Sequence, residues 1–189
     1  MKVRDSGMPP IQMWESFFDV DSILKELLVT NEIKSLVEIG SGYGTFTIPV
    51  SKIIDGKVYA FDIDSEMIEG LQVKLTELNI HNVITEKRDI LVDSTGLESA
   101  SVDYVMLFNI LHHELPLDFL SEAFRILKSG GRIGIIHWRS DISTPRGPDL
   151  NIRPRPEDIL SWINYDQFVV EKGPIILEPY HFGIVLAKK

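Results

Sequence analysis

Hydrophobic and polar positions change period along this chain, and each change predicts an element. Between 13 and 29 (MWESFFDVDSILKELLV), Trp14, Phe17, Phe18, Ile23, Leu24, Leu27 and Leu28 recur mostly at helical spacings, predicting one or two short helices. Residues 1–12, with Gly7, Pro9 and Pro10, read as a loose tip before them. From residue 35 short apolar runs ending in polar or Gly-rich turns alternate with amphipathic stretches: SLVEIG, then 45–54, then KVYAFD, then 65–78. In the last of these Met67, Ile68, Leu71, Leu75 and Leu78 fall at three- and four-residue steps, with Asp64 or Ser65 in place to cap the helix. The rhythm is βαβα.

The rhythm continues. VITEKRD (83–89) and VDYVMLFNI (102–110) predict two more strands, 117–128 a helix closed by Lys128 and the Gly130–Gly131 pair, and RIGIIHW (132–138) a fifth strand. Pro145, Pro148, Pro154 and Pro156 make 140–157 too rich in proline for a regular element, although Pro156 suits the first turn of a helix over PEDILSWI. The runs FVVEKGPIIL and HFGIVLAKK are separated only by a turn at Glu178–Pro179–Tyr180. They must pair antiparallel, since a parallel crossover needs about a dozen residues or more.

Composition narrows the function classes. The 189 residues fit one domain with a sizeable core, and 44% hydrophobic with 25% charged residues describes a globular chain. A net charge of −9 disfavours nucleic acid and anionic lipid as partners, leaving a small molecule as the expected one. The absence of cysteine excludes disulfides, thiolate zinc sites and cysteine nucleophiles. No leader-like apolar core and no run of about 18 apolar residues occurs, so a cytoplasmic location and no membrane partner are expected.

Candidate chemistry gathers at strand ends. VEIGSGYGTF (37–46) runs from a strand into Gly40-Ser41-Gly42-Tyr43-Gly44 and then a helix, an arrangement that lets backbone approach a ligand. A ligand-free turn accounts for the same pattern. The dinucleotide fingerprint wants its third glycine at position 45, which is Thr45; here it falls at Gly44. KVYAFD ends in Asp62, twenty residues after Gly42, where a carboxylate can accept both hydroxyls of a ribose. Asp89 ends the next strand in EKRDI, where it equally suits a helix cap.

Gly-x-Gly-x-Gly preceded by Glu38, together with Asp62, Asp89 and the motifs SVDYVMLFNILHHEL and FRILKSGGRIGIIHW, resembles the class I S-adenosylmethionine-dependent methyltransferases. The likeness is to the ubiquinone/menaquinone-biosynthesis (type 11) subgroup, close over 35–138 and in layout only to 189. It implies a Rossmann-like three-layer α/β/α sandwich with a seven-stranded, mostly parallel sheet whose last strand is antiparallel. It further implies one domain: a helical cap over 1–30, a cofactor-binding core over 35–138, and a substrate-side loop, helix and hairpin over 139–189.

The resemblance also assigns roles around S-adenosyl-L-methionine. Gly40, Gly42 and Gly44 would pack against its methionine part, with Ser41 and Tyr43 in the same loop, and Glu38 would orient its ammonium. Asp62 would hold the ribose with Ile63 beside it, Asp89 would receive the adenine amino group near the Ile90 backbone, and Asn109 would offer its carbonyl to the ammonium. Covalent pyrimidine C5 transfer and thiolate-bound arsenite methylation need cysteine and are excluded. The Asn/Asp-Pro-Pro-aromatic motif is replaced by Asn109-Ile110-Leu111-His112.

Methyl transfer is an in-line displacement that needs alignment more than acid–base help. His112 and His113 are candidates for a catalytic base, set against a packing role for His112 and a solvated His113. Arg139, Arg146, Arg153 and Arg155 flank the proline-rich loop. They would suit an anionic substrate if they face the pocket, and would pair with Asp141, Asp149, Glu157 and Asp158 if they do not. Trp14, Phe17 and Phe18 either roof the cofactor or dock a terminal helix. Two rival functions stay open, an NAD(P)-dependent oxidoreductase and a non-catalytic member of the fold.

Overall fold

In the computed structural model, which describes residues 8–189, helices α1 (Ile11–Glu15) and α2 (Val20–Glu26) precede strand β1 (Ser35–Ile39). Then come α3 (Thr47–Ile53), β2 (Lys57–Asp62), α4 (Ser65–Glu77), β3 (Val83–Lys87) and the single-turn α5 (Ile90–Asp93). The second half runs β4 (Val102–Phe108), α6 (Pro116–Ile126), β5 (Leu127–Trp138), α7 (Pro156–Ser161), β6 (Phe168–Leu177) and β7 (His181–Lys188). The expected tip falls partly on 1–7, outside the described residues, and its last two positions, Ile11 and Gln12, are already helical. No helix of the described residues is long and apolar enough to cross a membrane.

The strands form one sheet in the order β3-β2-β1-β4-β5-β7-β6. β7 runs antiparallel to both its neighbours and the remaining pairs are parallel, as the short turn at 178–180 requires. Apolar runs buried on both faces explain β1 and β4: Leu36, Met106 and Phe108 meet α2 and α3 on one side, while Val37, Val105 and Leu107 meet α6 on the other. α6 buries Phe119, Leu120, Ala123 and Ile126, the helical spacing that the sequence pattern announces. α4 is capped by Asp64, whose side chain accepts from the Glu66 N–H at 2.8 Å.

One boundary is corrected. The helix expected over 117–128 ends at Ile126, because Leu127 is already extended (φ −69°, ψ 137°) and pairs with Val102. Lys128 and the glycine pair belong to β5, where a register shift opposite Val102–Tyr104 bends the strand. The fold consequence is positional: the sheet is laid outward from β1 and β4 in opposite directions, and their carboxyl ends open a crevice at that reversal.

Candidate active site

The crevice is a cavity of about 520 Å³. The glycine loop forms its floor and is held by the neighbouring strand: the N–H groups of Gly40 and Ser41 both donate to the Phe61 carbonyl, at 2.8 and 3.0 Å. Gly42 then donates its N–H to Asp62 Oδ2 at 2.7 Å. Gly42 and Gly44 have φ of 50° and 77°, in the left-handed region that favours glycine. Their surroundings differ. Gly40 and Gly42 line the cavity, whereas Gly44 lies beneath, where a Cβ would strike Leu71 of α4.

Tyr43 also turns away from the cavity. Its hydroxyl donates to the Pro9 carbonyl at 3.0 Å and its own carbonyl accepts from Lys74 at 2.8 Å, so it latches the N-terminal segment rather than lining the cavity. Beside the latch Met8, Pro9 and Trp14 form part of the cavity wall. Phe17 and Phe18 are buried on Trp138, Phe46 and His181 instead, as docking residues.

Two buried carboxyls stand at the strand ends. Asp62 accepts from Gly42 through one oxygen and from the Asp64 N–H at 2.9 Å through the other. Burial raises its pKa against backbone hydrogen bonds from Asp64, Gly42 and Ile63, with the nearby Asp64 carboxylate adding. Glu38, 2% exposed, accepts a short hydrogen bond from the Thr47 hydroxyl. Burial pushes its pKa up to about 8, with the Thr47 bond opposing and the nearby Asp62 charge adding. Ile63, Asp89 and Ile90 line the same cavity, and Asp89 Oδ1 also caps α5 by accepting from the Leu91 N–H at 3.1 Å.

On the other wall, Asn109 follows β4 with φ 58°, its N–H donating to the Ile136 carbonyl at 2.8 Å. His112 and His113 line the cavity beyond it. His112 Nδ1 is 3.3 Å from His137 Nε2, while His113 accepts from the Leu115 N–H at 3.2 Å and packs edge-on against Phe119. His137 and His181 are fully buried. His181 lies between Phe18 and Trp138, and burial pushes its pKa down to about 3, with Arg153 adding.

The four arginines do not form one cluster facing the cavity; Arg146 alone of them lines it. Arg139 pairs with Asp141 at 2.8 Å. Arg153, 8% exposed, donates to the carbonyls of Pro148, Arg139 and Arg146 at 2.7, 2.8 and 3.2 Å and lies over the Trp138 ring. Arg155 sits at the α7 cap position, its N–H donating to Asp158 at 2.8 Å. Arg153 therefore ties the loop to itself. Its burial depends on Trp138 and a loop closing over it, which the spacing of charged residues does not reveal. Thr45, Phe61, Arg88 and Phe108 share the lining without any local sequence signal that singles them out as site residues.

The residues present fit S-adenosylmethionine. Among the described residues Ser41 Oγ, Thr45 Oγ1 and Asn109 Oδ1 are buried without a hydrogen-bond partner, and all three residues line the cavity. Carboxyls stand where an ammonium and a ribose need acceptors, and two glycines leave room for close approach.

Residues 36–131 match the family described as methyltransferase domain. A SAM-dependent methyltransferase from Aquifex aeolicus is similar in structure at TM-score 0.80 and 25% identity, over 94% of this chain and 93% of that one. A Sulfolobus solfataricus protein assigned to the type 11 methyltransferases gives TM-score 0.64 and 33% identity over 82% and 85%. Among curated relatives, ribosomal protein L11 methyltransferase of Anoxybacillus flavithermus (strain DSM 21510 / WK1) is 30% identical over 97 residues, 51% of this chain but only 30% of that protein. With the strand order, the glycine loop and the paired strand-end carboxyls already in place, these likenesses assign the chain to the methyltransferase domain family, with S-adenosylmethionine as its cofactor.

Proposed function

We propose that this chain transfers a methyl group from S-adenosylmethionine to a small molecule that carries a negative charge, by in-line displacement. The observation that carries the reading is the orphaned trio Ser41, Thr45 and Asn109 set around one cavity with Glu38 and Asp62. When bound, the cofactor supplies an electrophilic methyl on a sulfonium. Asp62 accepts the ribose hydroxyls while keeping the loop in place through Gly42, and Glu38 with the Asn109 carbonyl receives the ammonium. Asp89 and the Ile90 backbone meet the adenine, and Phe108, Ile110 and Trp138 exclude water where the methyl is passed. Arg146 faces the acceptor's charge from the mouth.

Calorimetric titration with S-adenosylmethionine and, separately, with NADH tests this. Binding of the first and not the second is expected. Binding of NADH favours the oxidoreductase reading, in which Thr45 would stand where a glycine is wanted. A methyl-transfer screen over small hydroxy, carboxylic and amino compounds then separates an enzyme from a member of the fold that only binds.

A further inference from the structure

The segment 146–149 is seated on Trp138. Gly147 has φ 107°, and a Cβ there would stand 2.8 Å from the Trp138 ring and 3.1 Å from Arg153 Nη2, so glycine lets the backbone lie between indole and guanidinium. On either side of it Arg153 donates to the Arg146 and Pro148 carbonyls at 3.2 and 2.7 Å, and the Thr144 hydroxyl also donates to the Arg146 carbonyl, at 2.6 Å. The Asp149 carbonyl accepts from the Ile152 N–H at 3.0 Å. The backbone is thus fixed from 146 to 149, and the side chains at its two ends take no part in fixing it. Arg146 and Asp149 both line the cavity, and among the described residues neither side chain has a hydrogen-bond or ion-pair partner. Asp149 lies within reach of the Arg153 charge, but the hydrogen bonds of Arg153 go to carbonyls.

Two opposite charges on one fixed segment, open to one cavity, suit a ligand that carries both. We propose that the methyl acceptor is an α-amino acid, its carboxylate taken by Arg146 and its ammonium by Asp149. This rests on the methyltransferase reading above and names the class of acceptor. A guanidinium can hold a carboxylate through two parallel N–H bonds, and a carboxylate accepts readily from an ammonium. An acceptor with only a negative charge would meet repulsion from Asp149, and one with only a positive charge would meet it from Arg146. The zwitterion satisfies both. In the same lining Trp14 and Trp138, whose ring centres are 6.4 Å apart, together with Phe108 and Phe119 offer apolar surface to a side chain.

Calorimetry on the full chain tests the assignment. The common L-amino acids are titrated into protein saturated with S-adenosylhomocysteine, the demethylated cofactor, which fills the donor site and has no methyl to give. At least one should bind at millimolar concentration. Its amide, which lacks the negative charge, and its N-acetyl derivative, which lacks the positive one, should each bind roughly tenfold more weakly.

Two variants then separate the two ends of the ligand. Arg146→Gln should bind the amino acid and its amide alike, and Asp149→Asn should bind the amino acid and its N-acetyl derivative alike. A loop with a structural role only would shift all three ligands together. Both variants should keep the circular dichroism and the S-adenosylmethionine affinity of the parent. The proposal is overturned if no amino acid binds, or if the N-acetyl derivative or the amide binds the parent as tightly as the amino acid. It is also overturned if a variant with unchanged circular dichroism loses S-adenosylmethionine affinity, which would give the pair to the cofactor's own amino-acid part. Failure of the unaltered chain to bind S-adenosylmethionine would overturn the methyltransferase reading instead, and the same amino-acid titrations without S-adenosylhomocysteine would still decide the roles of Arg146 and Asp149.

Discussion

The backbone N–H of Gly42 donates to the Asp62 carboxylate across the gap between two parallel strands, at 2.7 Å. The same carboxylate is the proposed ribose acceptor, so the shape of the loop and cofactor affinity share one side chain. Asp62→Ala should weaken S-adenosylmethionine binding by roughly ten- to a hundredfold, measured by calorimetry. Asp62→Asn should fall short of full rescue, because its amide presents one acceptor oxygen where two are used. An unaltered dissociation constant in Asp62→Ala would remove the ribose assignment.

Glu38 gives the site a pH dependence whose sign follows from its raised pKa of about 8. A carboxyl raised in the folded state favours folding while protonated. Its contribution is fully present below the ordinary carboxyl range and is lost as pH rises through about 8. The melting temperature of Glu38→Gln relative to the unaltered chain should therefore climb by several degrees between about pH 5 and pH 9. A cationic ammonium reverses the preference and expels the proton. Cofactor binding below about pH 8 should release protons in the unaltered chain, read as buffer-dependent binding heats, and should release fewer in Glu38→Gln.

The arginines of the 139–155 loop divide into a structural and a substrate-facing group. Arg153→Met leaves three carbonyls without their donor, and should cost roughly 2–3 kcal/mol, about 5–10 °C in Tm. Arg139→Gln and Arg155→Gln, whose contacts are at the surface, should each stay within about 0.5 kcal/mol of the parent. Arg146→Gln should leave Tm unmoved and raise KM about tenfold for an anionic acceptor but not for its neutral analogue. Equal KM changes for both compounds would return Arg146 to the solvent.

Gly44 separates packing from ligand approach. Gly44→Ala should destabilise by roughly 1–3 kcal/mol in denaturant unfolding, from its positive φ and from the clash with Leu71. Gly44→Ala should cost less in a Leu71→Ala background than in the parent, since that background removes the clash and leaves the backbone strain. A purely additive double variant would mean that Leu71 simply swings aside.

Features set by position along the chain were legible in the sequence; features set by closure were not. The glycine loop and Asp62 stood out because each ends an apolar run, and parallel strands deliver their ends to one side of the sheet; Asp89 and Asn109 were singled out by the family resemblance, and they line the same cavity. The antiparallel hairpin followed from a turn too short for a crossover. The family resemblance set Gly44 beside the cofactor, and spacing alone does not distinguish the two sides of a turn, so its packing on Leu71 was not legible. Arg153 stood open in the sequence between a substrate contact and a surface ion pair, and its actual role was hidden because its burial depends on a loop folding back over Trp138. His137 beside His112 follows from the β4–β5 register, in which Phe108 stands opposite Ile136, a pairing no local pattern announces.

The Arg153 clamp has a consequence for how such a site diversifies. The proposed cofactor half of the cavity comes from residues 38–63 and 88–91, and another part of the lining comes from Trp138 and the segment 146–152, which is fastened internally by one guanidinium over one indole. A segment anchored in this way is a cassette. Its tip can be exchanged between two fixed posts, giving the same methyl donor to a different acceptor while the strands that hold the donor keep their sequence.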